Sequence, residues 1–189
     1  VTVVQPGQAE LIEGLALGGI KYAVQKEQLG TAHAVSCSLK CINPRHDVLV
    51  LCGDMPLLRT STLKRFLALI ESGHSAVLTS TFSNPFGYGR IVRDTGGDLL
   101  KIIEEKDADE EKKINEINSG VIYLNAEMIQ ATIGDIQANN LPKEHYLTDI
   151  IEIAIRKGHK FEAINIAEED EVLGINSKQD LAMAESIVR

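Results

Sequence analysis

Positive charge is scarce in this chain: 19 Lys and Arg face 27 Asp and Glu, a formal net charge of −8 at pH 7. That excludes a broad nucleic-acid footprint, which needs a basic face. A nucleotide substrate stays open, because Mg²⁺ and backbone N–H groups neutralise phosphates locally. Cysteine is scarce too, with Cys37, Cys41 and Cys52 only. An odd count in 189 residues argues against a disulfide framework and for a reducing, cytoplasmic setting. No run approaches the roughly 18 apolar residues of a membrane span, so no membrane partner is expected. There is no Gly-x-x-x-x-Gly-Lys-Ser/Thr, no Gly-x-Gly-x-x-Gly and no Gly-x-Ser-x-Gly. A P-loop, a dinucleotide fingerprint and a hydrolase nucleophile elbow are therefore excluded.

What is present is a strand-rich α/β pattern. The run Val48-Leu49-Val50-Leu51-Cys52 is apolar without alternation, as in a strand covered on both faces of a parallel sheet. Gly53 and Pro56 end it, which leaves Asp54 just past the strand's carboxyl end, where open α/β sheets bind ligands. Val1 to Val4 reads as a strand starting at the first residue, with no signal peptide visible, so a cut inside a domain is expected. Gln8 to Leu17 has helical spacing, Gly18-Gly19 ends it, and Ile20 to Val24 closes a βαβ unit. Thr31 is the expected cap of a helix running to about Cys41, Thr60 or Ser61 of one to about Ile70, and Ala76 to Thr81 is a strand.

Downstream, Thr95-Gly96-Gly97-Asp98 is a hairpin turn between Ile91-Val92 and Leu99–Ile103. Glu116 to Leu124 is a strand interrupted by Gly120, and Glu127 to about Ile133 a short helix. Thr148 caps a helix to Lys157, Phe161 to Ile166 is a strand, and Ser177 starts the last helix. The expected fold is α/β: a Rossmann-like, doubly wound, mostly parallel sheet with an added hairpin, forming one domain over 1–189.

Candidate chemistry is spread along the chain. Gln25 to His33 joins a strand end to a helix start, so Gly30 permits close approach and Gln25 can read a base edge; a plain βα loop with a capping Thr31 fits equally. Cys37, Cys41 and His33 read as a buried apolar stripe rather than a metal site, since no second pair completes a ligand set. Arg90, after the long Gly-rich loop, either binds phosphate or pairs with an acid such as Asp94. Glu104 and Asn118 suit sugar hydroxyls or are surface groups beside a bulge at Gly120. Asn176 is a helix cap or a neutral oxygen ligand.

In order, Gln25 to His33, Val50 to Leu57, Phe86 to Ile91, Ile103 to Ala108, Glu116 to Val121, Tyr146 to Ile151 and Gly174-Ile175-Asn176 resemble one family over nearly the whole chain. It is the uridyltransferase domain of bacterial N-acetylglucosamine-1-phosphate uridyltransferases, of the nucleotide-diphospho-sugar transferase fold type. The resemblance implies that Gln25 contacts uracil while Gly30 and Thr31 line the nucleotide pocket. It implies that Asp54 and Asn176 hold Mg²⁺, and that Gly89, Glu104, Asn118, Tyr146 and Thr148 hold the sugar. The implied substrates are UTP and N-acetylglucosamine-1-phosphate, with pyrophosphate released. Two other readings stay open: a non-catalytic module binding a nucleotide sugar or a protein, and an enzyme for another sugar-1-phosphate such as glucose-1-phosphate. The family's N-terminal loop, Leu-Ala-Ala-Gly-x-Gly-Thr-x-Met, and its acetyltransferase β-helix have no counterpart here. Oligomeric state is not legible.

Overall fold

Two sheets carry the chain in a computed structural model that describes residues 1–8, 12, 19–139 and 146–188. Strands β1 (Thr2–Val4) and β2 (Tyr22–Val24) form a parallel pair, with Val4 opposite Val24. The helix expected over Gln8 to Leu17 lies almost wholly outside the described residues. Helix α1 (Thr31–Leu39) follows β2 and buries Ala32, Val35 and Ser38, one helical turn apart, towards the sheets.

The larger sheet contains β3 (Val48–Val50), β4 (Ser75–Thr81), β5 (Arg90–Arg93), β6 (Leu99–Ile103), β7 (Glu116–Leu124) and β8 (Phe161–Asn165). Its order is β6-β5-β7-β4-β8, with β3 also on β7. β4 and β8 pair in parallel, whereas β7 is antiparallel to β3, β4 and β5, and β6 to β5. So β3, β4, β5 and β8 run one way, and β7 is threaded between them in the opposite sense. This is the expected α/β sheet with its antiparallel hairpin, now a mixed sheet.

Alternation fixes both faces. Val77, Ile122 and Leu124 face α3 (Ala126–Asn139) and α4 (Asp149–Arg156), where Met128, Ile150 and Ile151 complete a core. Their neighbours Ala76, Leu78 and Val121 face the other way, onto Phe66 of α2 (Thr60–Leu69), Phe82 and Val172. The last helix is α5 (Lys178–Val188), capped by Ser177: Ser177 Oγ accepts from Asp180 N–H, and Asp180 Oδ2 accepts from Ser177 N–H.

Several local expectations are corrected. The 48–52 strand stops at Val50 and pairs antiparallel with β7 rather than in parallel. Among the described residues β3 has a partner on one side only, so its residues are half-buried and Leu51 is 48% exposed. Thr31 is not a cap: Gly30 holds that position at φ 100°, and the Thr31 hydroxyl accepts from Leu147 N–H instead. Thr148 makes no side-chain cap, because its hydroxyl bonds to Glu104. Arg59, not Thr60 or Ser61, precedes α2. The helix expected from Glu127 runs over Ala126–Asn139, its start fastened by Asn125 Oδ1 and Asp47 Oδ1.

Candidate active site

The cleft opens where β7 loses its ladder on one side. Its C-terminal half pairs with β3 (Val50 opposite Ile122), and its N-terminal half touches β5 (Arg90 opposite Ile117). Between them, Ser119 and Gly120 have no strand partner on that flank. Between the Val77–Ile122 and Thr79–Asn118 pairs β7 carries three residues, 119–121, where β4 carries only Leu78. Gly120 absorbs the resulting bulge at φ 82°. A β-carbon on it would lie 2.7 Å from Cys52 Sγ, so the position is closed to any larger residue.

An open cleft of about 190 Å³ lies over this gap. Asp54, Gly89, Glu104, Asn118 and Asn176 all line it, joined by Tyr88 and Gly174. Asp54 follows β3, and its backbone carbonyl accepts from Ile175 N–H at 2.9 Å, tying the loop 173–176 to the strand end. A β-carbon on Gly174 would lie 3.7 Å from Asp54 Oδ2 and 3.5 Å from Asn176 Nδ2, so the two side chains converge there. With Ser177 and Asp180 capping α5, the Asn176 side chain is left to the cleft. Among the described residues no salt bridge neutralises Asp54. Burial first, and the Asp54 charge second, push the Cys52 thiol up. Tyr88 is likewise raised, by burial and by Asp180, Asp54 and Glu169, against a Gly174 hydrogen bond that lowers it.

The other predicted residues form a series of contacts, most of them hydrogen bonds, leading to the cleft. Gln25 Nε2 donates to Gly30 O at 3.1 Å. Thr31 Oγ1 accepts from Leu147 N–H at 2.9 Å, and Thr148 Oγ1 donates to Glu104 Oε1 at 2.6 Å. Glu104 Oε2 lies 3.4 Å from where a Gly89 β-carbon would sit, and Gly89 O accepts from Asn118 N–H. Asn118 Oδ1 accepts from Gly120 N–H at 2.9 Å. Tyr146 lies under the Lys106 ammonium, 4.7 Å from ring centroid to nitrogen. Gln25, Gly30, Thr31, Tyr146 and Thr148 are thus beside the cleft rather than in its lining.

Arg90 takes the second role weighed for it, pairing with an acid, but that acid is Glu105 rather than Asp94. It is 2% exposed and pairs with Glu105 at 2.7 Å, while also donating to the Tyr88 carbonyl. That pairing fastens the 82–89 loop to the turn after β6. Tyr88 and Gly174 were not singled out as site residues; the Gly-Ile-Asn run was the available signal for the second. Cys41 Sγ turns to the Tyr22 carbonyl and away from His33. An apolar groove of about 110 Å³, lined by Leu39, Val48 and Ile129, lies at the opposite end of β3 and offers no comparable polar array.

A family model described as nucleotidyl transferase matches residues 6–170. The chain belongs to the nucleotidyl transferase family. Among curated members, the bifunctional protein GlmU of Burkholderia orbicola (strain MC0-3) is 43% identical over 188 residues, covering 99% of this chain. The bifunctional protein GlmU of Clostridioides difficile (strain 630) is 44% identical over 185 residues, covering 96%. The chain spans 42% and 40% of the length of those two proteins. The solved inositol-1-phosphate CTP transferase of T. maritima superposes with a TM-score of 0.67 at 19% identity, over 98% of this chain and 75% of that one. That likeness establishes the fold. No helix among the described residues is long and apolar enough to cross a membrane.

Proposed function

We propose that this nucleotidyl transferase joins UTP to N-acetylglucosamine-1-phosphate, forming UDP-N-acetylglucosamine and pyrophosphate. The observation that carries it is the convergence of Asp54 and Asn176 on Gly174, at the carboxyl end of β3 and beside the β7 gap. A carboxylate and a carboxamide oxygen are hard donors suited to Mg²⁺; the Asn176 atom nearest Gly174 is Nδ2, so its amide would turn over to present the oxygen, and Asp54 has no competing protein cation among the described residues. Bound there, Mg²⁺ would neutralise phosphate charge. A sugar-phosphate oxygen forms the new bond to the α-phosphorus as the bond to the β-phosphate bridging oxygen breaks. The attacking oxygen is already anionic, so no general base is required, and positioning supplies much of the acceleration.

Glu104, held by Thr148, and Asn118, held by Gly120, offer fixed acceptor and amide groups for sugar hydroxyls and the acetamido group. Gly89, whose missing side chain lets Ile102 and Glu104 pack close, would present its backbone to the sugar. Gln25, Gly30 and Thr31 would hold the base, and Tyr146 the sugar's outer side. The three free cysteines suit a reducing, cytoplasmic setting.

Calorimetric titration of UDP-N-acetylglucosamine, with and without Mg²⁺, tests this reading alongside pyrophosphate release from the two substrates. Mg²⁺-dependent binding is expected, with Asp54→Asn lowering turnover by about a hundredfold or more. Equal turnover by wild type and Asp54→Asn would remove the metal role. Tighter competition by glucose-1-phosphate than by N-acetylglucosamine-1-phosphate would reassign the sugar.

A further inference from the structure

Gln25 leaves β2, and His33 lies in the first turn of α1. Gln25 Nε2 is 3.1 Å from the Gly30 carbonyl oxygen and 3.1 Å from His33 Nδ1. A carbonyl oxygen only accepts, so the amide nitrogen must face Gly30. That nitrogen only donates, so His33 Nδ1 must be bare and accept. The ring proton then sits on Nε2, which faces Cys37 Sγ at 3.7 Å, a weak acceptor. Each assignment follows from the one before, starting at a group with no choice.

Both N–H groups of the Gln25 amide are thereby engaged. Among the described residues no donor meets its Oε1. We propose that His33 is a positioning residue that locks Gln25 so that it offers a base only an acceptor, which selects a ring N–H and rejects a bare ring nitrogen. The inference rests on the uridine reading above. Uracil carries N–H at position N3, whereas cytosine carries a lone pair there. A turned amide would donate to cytosine N3; the locked amide meets it lone pair to lone pair. Discrimination by leaving a polar group unpaired is the stronger kind.

UMP and CMP are the probes, titrated calorimetrically into the chain. Wild type should prefer UMP. His33→Phe keeps ring bulk and removes the acceptor, and should lower the UMP-to-CMP affinity ratio about tenfold. His33→Gln, whose amide oxygen can take the same N–H, should restore most of it. A variant that weakens both nucleotides equally, leaving the ratio unchanged, would reduce His33 to a packing role and overturn the proposal. Nitrogen NMR of the His33 ring gives a readout that needs no ligand: bare Nδ1 with protonated Nε2 is expected, and the reverse tautomer overturns the lock. If neither nucleotide binds, the uridine reading fails for this chain, and the ring spectrum alone upholds or overturns the lock.

Discussion

Cys52 is an exposed residue whose sulfur is turned inward, its Sγ 3.7 Å from the Gly120 carbonyl. Burial of that sulfur and the nearby Asp54 carboxylate both disfavour the thiolate, so its pKa lies above the ordinary 9.0. The thiol therefore stays protonated through neutral pH, and alkylation should be slow there. Iodoacetamide labelling of the Cys52 peptide, followed by mass spectrometry across pH, should show a midpoint above 9.0. Asp54→Asn removes the charge contribution and should move the midpoint down, and Mg²⁺ added to wild type should act in the same direction. Identical profiles in wild type and Asp54→Asn would show that Asp54 does not reach the sulfur. Residue-level chemistry was partly legible here: the strand-end position of Asp54 followed from the apolar run before it. The inward turn of Cys52 did not, because it depends on a bulge in β7, 68 residues away.

Between elements, Arg93 and Glu116 form a forked polar tie. Arg93 on β5 donates from Nε to Glu116 Oε2 at 2.8 Å and from Nη2 to Oε1 at 2.7 Å. It also donates to Ala163 O on β8, while Thr79 on β4 donates to Glu116 Oε1. Three strands thus meet at one carboxylate, with Arg93 tying in β8 as the fourth, and the Glu116 hydrogen bond raises the Arg93 pKa further. Glu116→Gln should lower stability by about 2 kcal/mol, because a forked ion pair is replaced by a single bond from the guanidinium to an uncharged amide oxygen. Urea denaturation would read this as a lower midpoint with an unchanged slope; a midpoint equal to wild type would deny the tie. Strand and helix positions such as Phe161–Asn165 and the start of the last helix near Ser177 were legible because period and local chemistry specify them, although the capping side chain is Ser177 and not Asn176. The caps at Thr31 and Thr148 were misread for one reason: each hydroxyl is engaged by a partner more than forty residues distant in sequence. Local pattern carries no information on such pairings, and the Arg90–Glu105 pair was hidden in the same way.

At the scale of the molecule, acid should unfold the chain from a defined side. Glu105 and Glu111 lie below their ordinary 4.5, and Asp180 below 3.8. For Glu105, burial raises the value, but the Arg90 and Gly87 hydrogen bonds and the Arg90 charge outweigh it. Glu111 is held down by backbone N–H groups, and Asp180 by Asn176 and Ser177 at the start of α5. Because the folded values are the lower ones, the unfolded chain takes up these protons first as pH falls. Their stabilisation is complete above the ordinary carboxylate range and is lost progressively below it. Circular dichroism melts should give a melting temperature that is level near neutrality and falls below about pH 4.5. A constant melting temperature down to about pH 3 would contradict this.

The surplus length of β7 has a last consequence. Excising one residue between Asn118 and Ile122 would turn Asn118 to the opposite face of the sheet. Excising two would let β4 and β7 pair without interruption, giving a more regular sheet with its cleft sealed. Selection for folding alone would favour that shorter strand. The two surplus residues mark where the sequence departs from the sheet's own optimum to keep a place for a ligand.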